Sequence, residues 1–155
     1  MNYAGFWLRF VAAIIDGIII NIVNWLILAP ILASMGIASG GMFPGFGGEE
    51  FDPAQFIGAL SAMLGIAWVV KTVVDVLYHS FLESSKFQGS FGKLALGLKV
   101  TDTSGAKLDF VKAFIRNICK IISGAILAIG YIMAGFTDKK QALHDMIAST
   151  LVVKK

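Results

Sequence analysis

A chain of 155 residues has the length of one domain, and a make-up that is 57% hydrophobic and 15% charged, with a mean hydropathy of +0.78, excludes an ordinary soluble globule, in which about a quarter of residues are charged. The net charge of +3 in so apolar a chain reads as basic loops on the cytoplasmic side of a membrane, not as a nucleic-acid surface. Cys119 is the only cysteine, which excludes an intramolecular disulfide and a cysteine-built metal site.

The first predicted element is a membrane span over about residues 6–33. It exceeds the roughly 20 apolar residues that a crossing helix needs. Ile31-Leu32-Ala33-Ser34 has the character of a signal-cleavage region. Arg9 and Asp16 would then fall inside an apolar region that is already too long, so the block reads as a retained helix. These two charges are seven residues apart, which puts them on nearly one helix face and about 10 Å apart along the axis. Arg9 lies near the helix end, where its long stem can snorkel to the interface. Asp16 lies about two turns deeper. A carboxylate there costs several kcal/mol in hydrocarbon and needs a partner or water inside the bundle. Asn21 and Asn24 read as interhelical hydrogen-bonding groups.

Residues 36–53 form a glycine-rich loop whose charges, Glu49, Glu50 and Asp52, are all acidic. It is placed on the non-cytoplasmic side. A second span follows over about residues 56–82, antiparallel to the first. Lys71, Asp75 and His79 recur every four residues along it, and Glu83 continues the ladder. Counted inward from the cytoplasmic end, Asp75 comes to the depth of Asp16, with Lys71 one turn deeper and His79 toward the mouth. The spacing predicts a polar seam of Arg9, Asp16, Lys71, Asp75 and His79. Such a seam is either an ionic network that fixes helix register or a path for a cation or proton.

Residues 83–109 carry Lys86, Lys93, Lys99 and Lys107 and are assigned to the cytoplasmic side. Within them, Leu96–Asp102, the turn residues Thr103-Ser104-Gly105, and Lys107-Leu108 predict a small β-hairpin. Gln88-Gly89-Ser90-Phe91-Gly92-Lys93 has the glycines of a phosphate loop but neither its spacing nor a hydroxyl after the lysine, and it is not read as one.

The third hydrophobic element, residues 110–136, is interrupted by Lys112, Arg116 and Lys120. Its first half, Asp109–Ser123, is patterned as an amphipathic interfacial helix with those cations on a separate face. The tail, residues 137–155, is basic and again cytoplasmic in character. Three full crossings would place it outside, so the third element is expected to be interfacial or re-entrant. A short complete crossing is the alternative. His79 and His144 are isolated histidines, and no metal site, cofactor motif or nucleophile arrangement is apparent. The fold expected is an all-α integral membrane protein with two long antiparallel spans, a third interfacial, re-entrant or short transmembrane element, and a small cytoplasmic hairpin.

Several segments together resemble the RDD family of bacterial membrane proteins, named for one arginine and two aspartates. They are Tyr3-Ala4-Gly5-Phe6-Trp7-Leu8-Arg9-Phe10 with Asp16, Phe91-Gly92-Lys93-Leu94-Ala95-Leu96-Gly97-Leu98-Lys99-Val100, Ala113-Phe114-Ile115-Arg116-Asn117, and the ending Gln141-Ala142-Leu143-His144-Asp145-Met146-Ile147-Ala148-Ser149-Thr150-Leu151-Val152-Val153. The resemblance covers nearly the whole chain. It implies that Arg9, Asp16 and Asp145 are the name-giving residues, with Ser149 where glycine is more usual. Lys71 and Asp75 lie outside that signature. Asp145 on a short terminal helix is expected to return to the cytoplasmic face and meet Arg9. A single multi-pass domain of the bacterial inner membrane is implied, with both termini cytoplasmic. Two functions fit. One is a non-enzymatic, oligomeric transporter of a cation or proton. The other is an accessory or scaffold subunit that docks a membrane partner or anionic lipid on its basic face. Neither needs a cofactor or nucleic acid.

Overall fold

The computed structural model of the chain describes residues 2–34, 52–125 and 129–155. The glycine-rich loop predicted over residues 36–53 lies outside them, except for its last two residues. Among the described residues two helices are long and apolar enough to cross a bilayer: α1, Phe6–Ser34, and α2, Pro53–Ser84. After them come α3, Phe91–Ala95, strand β1, Leu98–Asp102, and α4, Phe110–Ala125. A short helix α5, Ile129–Ile132, runs into a 3-10 turn, Met133–Gly135. Helix α6, Leu143–Ile147, and strand β2, Thr150–Lys154, complete the order.

The chain divides into two compact units. Ile19–Val74 holds most of α1 and the larger part of α2. Trp25, Leu26, Ile57, Leu64 and Trp68 are exposed there, as apolar side chains facing lipid would be. Asn24 is buried, and its amide has no hydrogen-bond partner among the described residues.

The other unit, Met1–Ile18 with Asp75–Lys155, contains the sheet and every short helix. Strands β1 and β2 pair antiparallel, with Leu98 opposite Lys154 and Asp102 opposite Thr150. This corrects the predicted hairpin: the partner of β1 is the tail of the chain, not Lys107-Leu108. The turn itself forms, because the Asp102 carboxylate accepts hydrogen bonds from Ser104 N, Ser104 Oγ and Ala106 N. On the other side of β1, however, Val100 N donates to Gln88 O, which leaves little free edge for a return strand. Thr150–Lys154, rich in β-branched residues, fills the remaining edge. The N-terminal segment then adds to β2: Tyr3 bridges Val153, Ala4 N donates to Val152 O, and Lys154 N donates to Asn2 O. A small core of Ala4, Ala12, Leu98, Val100, Leu108, Ala113 and Val152 lies beneath, with Leu8 and Leu96 packed against it.

Helix α4 shows the amphipathic pattern in reverse. Phe110, Val111, Ile115, Ile118, Ile121 and Ile122 are exposed, whereas Arg116 and Asn117 are each only 1% exposed. The cations at positions 116 and 120 therefore face protein, while Lys112 faces out. The chain then comes back along α4. Tyr131 Oη donates to Lys120 O at 3.2 Å, and a methyl on Gly130 would stand 2.8 Å from Ser123 Cβ. The third hydrophobic block is thus a helix with a short return, not one straight rod.

Candidate functional site

The densest polar chemistry of the described residues is a buried ion cluster in the unit that contains the sheet, between the ends of α1 and α2 and helices α3, α4 and α6. Two carboxylates, Glu83 and Asp145, are both fully buried at its centre. Arg116 joins them. Its Nη1 donates to Glu83 Oε2 at 2.6 Å, and its Nε and Nη2 lie 2.8 and 2.7 Å from Asp145 Oδ1. Arg9 pairs with the other oxygen of Asp145. The remaining nitrogens of Arg9 are also used, with Nε donating to Ala4 O at 3.0 Å and Nη2 to Lys140 O at 2.6 Å.

Glu83 is equally occupied. Lys93 and Lys120 approach Oε1, the latter at 3.9 Å, and Asn117 Nδ2 donates to Oε2 at 3.1 Å. His79 stands between two acids, its Nε2 3.6 Å from Asp75 and its Nδ1 4.0 Å from Glu83. Four cations thus surround two central carboxylates. Buried charges persist only when paired and hydrogen-bonded in this way, and removing one partner of such a pair typically costs about 3–5 kcal/mol.

Helix α6 presents Asp145 through its own end. Asp145 is the third residue of the helix, and its Oδ2 accepts from Ala142 N at 3.1 Å, capping the first turn. Burial alone would raise its carboxyl, but Arg116 and Arg9 outweigh burial and hold it below its ordinary range. Burial likewise works against the Arg116 guanidinium, and Glu83 and Asp145 reverse the effect and keep it firmly charged. Neighbouring His144 is different. Burial pushes its imidazole down to about 3, so it stays neutral, within 3.3 Å of Ser123 Oγ.

Asp16 has a separate place. It is 2% exposed, and three donors converge on it: Tyr78 Oη at 3.0 Å, Gly92 N at 2.8 Å and Ser90 Oγ. The carboxylate sits at the start of α3 and supplies in trans the cap that Ser90 does not make within its own helix. Gly92 is required by contact distance. A methyl there would stand 2.2 Å from Ala12 O and 2.9 Å from Asp16 Cγ. The segment with the glycines of a phosphate loop therefore does bind an anion, and the anion is the chain's own aspartate.

Of the residues expected to form one seam, Arg9 and Asp145 are brought together. Asp16 is not brought to Asp75 and Lys71: its oxygens are filled by Tyr78, Ser90 and Gly92, because α3 folds against α1 at that level. Lys71 belongs to the other unit. Asp75 lies at the rim of the cluster with its side chain 34% exposed, beside His79. Sequence reasoning missed Glu83, Lys93, Arg116, Asn117 and Lys120 as site residues. The available signal was the presence of Arg116 and Lys120 inside a hydrophobic block, where their spacing reads only as a separate face of an amphipathic interfacial helix. Among the described residues no group of three or more histidines, cysteines and carboxylates is arranged to hold a metal ion.

The model of the RDD family matches residues 3–149. The chain is 38% identical to Uncharacterized protein YxaI of Bacillus subtilis (strain 168), over 98% of its own length and 97% of that protein's. It is 29% identical to Uncharacterized membrane protein YteJ of the same organism, over 97% of this chain and 80% of the relative. A Proline-rich antigen homolog of Mycobacterium tuberculosis (strain ATCC 25618 / H37Rv) is 24% identical over 68% of this chain and 46% of that protein. No solved structure matches the chain.

Proposed function

The chain belongs to the RDD family, and from that premise we propose that it is a non-catalytic accessory or scaffold module of the bacterial inner membrane, held in shape by its Arg/Asp/Glu/Lys cluster. The observation that carries this reading is the occupancy of the buried carboxylates. All six oxygens of Asp16, Glu83 and Asp145 already face donors from other segments of the chain. A carboxylate locked to arginine or lysine does not readily cycle protons. Arg9, Arg116 and Lys93 about two acids, with Lys120 lowered to about 7 by burial, also leave the cluster electropositive toward a passing cation.

The same reading orients the chain. The hydrogen bonds of Asn2–Ala4 to β2 support a placement of both terminal segments on one side of the bilayer, as two crossings by α1 and α2 would give. Lys86, Lys93, Lys99 and Lys107 support the cytoplasm as that side. α4 lies at the interface with its apolar face in lipid and its charges turned to the cluster. A second copy or a membrane partner covers part of the exposed apolar surface.

A second reading, transport of a cation or proton, is favoured by one feature: Asp75 is partly exposed beside His79 at the rim, outside the locked pairs. Flux in proteoliposomes under sodium, potassium and proton gradients separates the two. The scaffold reading expects folded wild type to match empty vesicles. Flux in wild type that is lost in folded Asp75→Asn overturns it.

A further inference from the structure

We propose that one exposed face of α2 is the interface of a homodimer, in which Lys71 of each copy pairs with Asp75 of the other. The interface goes beyond both readings of function above and holds under either. The case starts from Lys71. It is exposed, and among the described residues it takes part in no ion pair or hydrogen bond. By helical rise it lies about 20 Å inward of Ser84 and about 27 Å from Pro53, the two ends of α2. Its stem leans toward the helix N-terminus, away from the nearer end, so it does not snorkel out there. An ammonium at that depth is costly in hydrocarbon and ordinarily faces protein or water. Lys71 therefore marks a side of α2 that protein covers.

That side has the pattern of a packed one. Ile57, Ser61, Leu64, Trp68, Lys71 and Asp75 follow one another at alternating spacings of four and three residues. This is the seam of helices wound left-handedly about each other, the usual geometry of membrane bundles. The first five are exposed, and the Asp75 side chain is 34% exposed, so the seam is uncovered among the described residues. The exposed face of α1 at Ile22, Trp25 and Leu26 differs: it holds no charge, and lipid suits it as it stands.

Charge complementarity selects a second copy as the occupant. Asp16, Glu83 and Asp145 are filled, whereas Asp75 has only His79 Nε2, at 3.6 Å, among the described ion pairs. Lys71 and Asp75 lie on one continuous helix, so their offset of about 6 Å is set by helical rise alone. Within one chain they form no ion pair, and a cation four residues before an acid is the less favourable order. Two copies inserted in the same sense are related by a two-fold axis along the membrane normal, which lays α2 parallel to its counterpart. Each seam residue then enters a hole between residues of the facing helix. For Lys71 that hole is bordered by Asp75 of the second copy, whose short side chain leans toward the level of the lysine. Symmetry makes the contact twice, and the four charges cancel. A partner without such an acid would leave Lys71 unpaired.

Full-length protein with a fluorophore fused at its C-terminus, diluted into phosphatidylglycerol/phosphatidylcholine vesicles, is counted by photobleaching steps over a range of protein-to-lipid ratios. A monomer–dimer equilibrium is expected, and Lys71→Leu lowers its affinity about tenfold. Asp75→Asn weakens it too, and the double variant loses less than the two losses combined. Oxidative cross-linking in a Cys119→Ser background locates the seam with both charges kept. Ser61→Cys and Leu64→Cys are expected to give dimers, and Val73→Cys, exposed on the opposite side of α2, is not. A monomer at every ratio overturns the proposal, including one that retains a different membrane protein through Lys71. So does a dimer that cross-links through Val73→Cys in place of the seam positions, or one that Lys71→Leu leaves at full strength.

Discussion

Two single residues show how closely backbone geometry governs this chain. Gly92 N donates to Asp16, and Gly92 lies so near Ala12 O that a methyl would stand 2.2 Å from it. Gly92→Ala must push α3 away from α1 and break the cap on its first turn. The expected loss is about 3 kcal/mol, the upper end for overpacking a tight site, read as a fall in unfolding free energy in detergent. Ser149 is the opposite case. It has φ 52, just past the end of α6, where a left-handed residue ends the helix. Only glycine adopts that conformation without steric cost. Ser149→Gly is therefore expected to stabilise the protein by roughly 0.5–1 kcal/mol in the same assay. The resemblance alone marked this position as unusual, and the backbone angle explains why.

Among the elements, α6 links its sequence most directly to a solution property. His144 and Asp145 are adjacent on it, one neutral and one charged, because burial dominates the first and two guanidiniums dominate the second. Both shifts act in the same direction with pH. The native His144 value of about 3 lies below its ordinary 6.5, so between them the unfolded chain binds a proton that the native one refuses. Asp145 is also held below its ordinary value, and its contribution is lost as pH falls through the acid range. Melting temperature is expected to fall steadily from about pH 6.5 toward pH 3, with a shallower fall in His144→Asn. A melting temperature that stays level to pH 4 would remove the His144 assignment. α4 teaches a related lesson. Its period of charges was legible, but the side on which they lie was not. Periodicity identifies two faces of a helix without saying which one meets protein. In a membrane chain the usual rule of apolar inside, polar outside can be inverted when a charged partner such as Glu83 lies within.

At the scale of the whole molecule, the sequence made the two long helices, the basic connecting segment and the Arg9–Asp145 meeting legible, because hydropathy and terminal motifs are local signals. The pairing of β1 with the chain end was not, since Thr150–Lys154 offers no clue to a partner about fifty residues earlier. Nor was the capture of Asp16 by α3, which depends on a close helix approach and not on spacing along one helix. Sheet pairing of Asn2–Ala4 with β2 has a topological consequence. Reporters fused to either terminus should both be active on the cytoplasmic side; opposite locations would contradict the orientation proposed for α4.

The claim on which the account rests is that buried ion pairs join the N-terminal end of α1 to α6 through Asp145. A double-mutant cycle of Arg9→Gln and Asp145→Asn, measured as unfolding free energy in lipid nanodiscs, tests it most directly. The account predicts a coupling of about 1–3 kcal/mol, with the double variant less unstable than the two losses added together. Additive losses, with no coupling beyond about 0.5 kcal/mol, would contradict it.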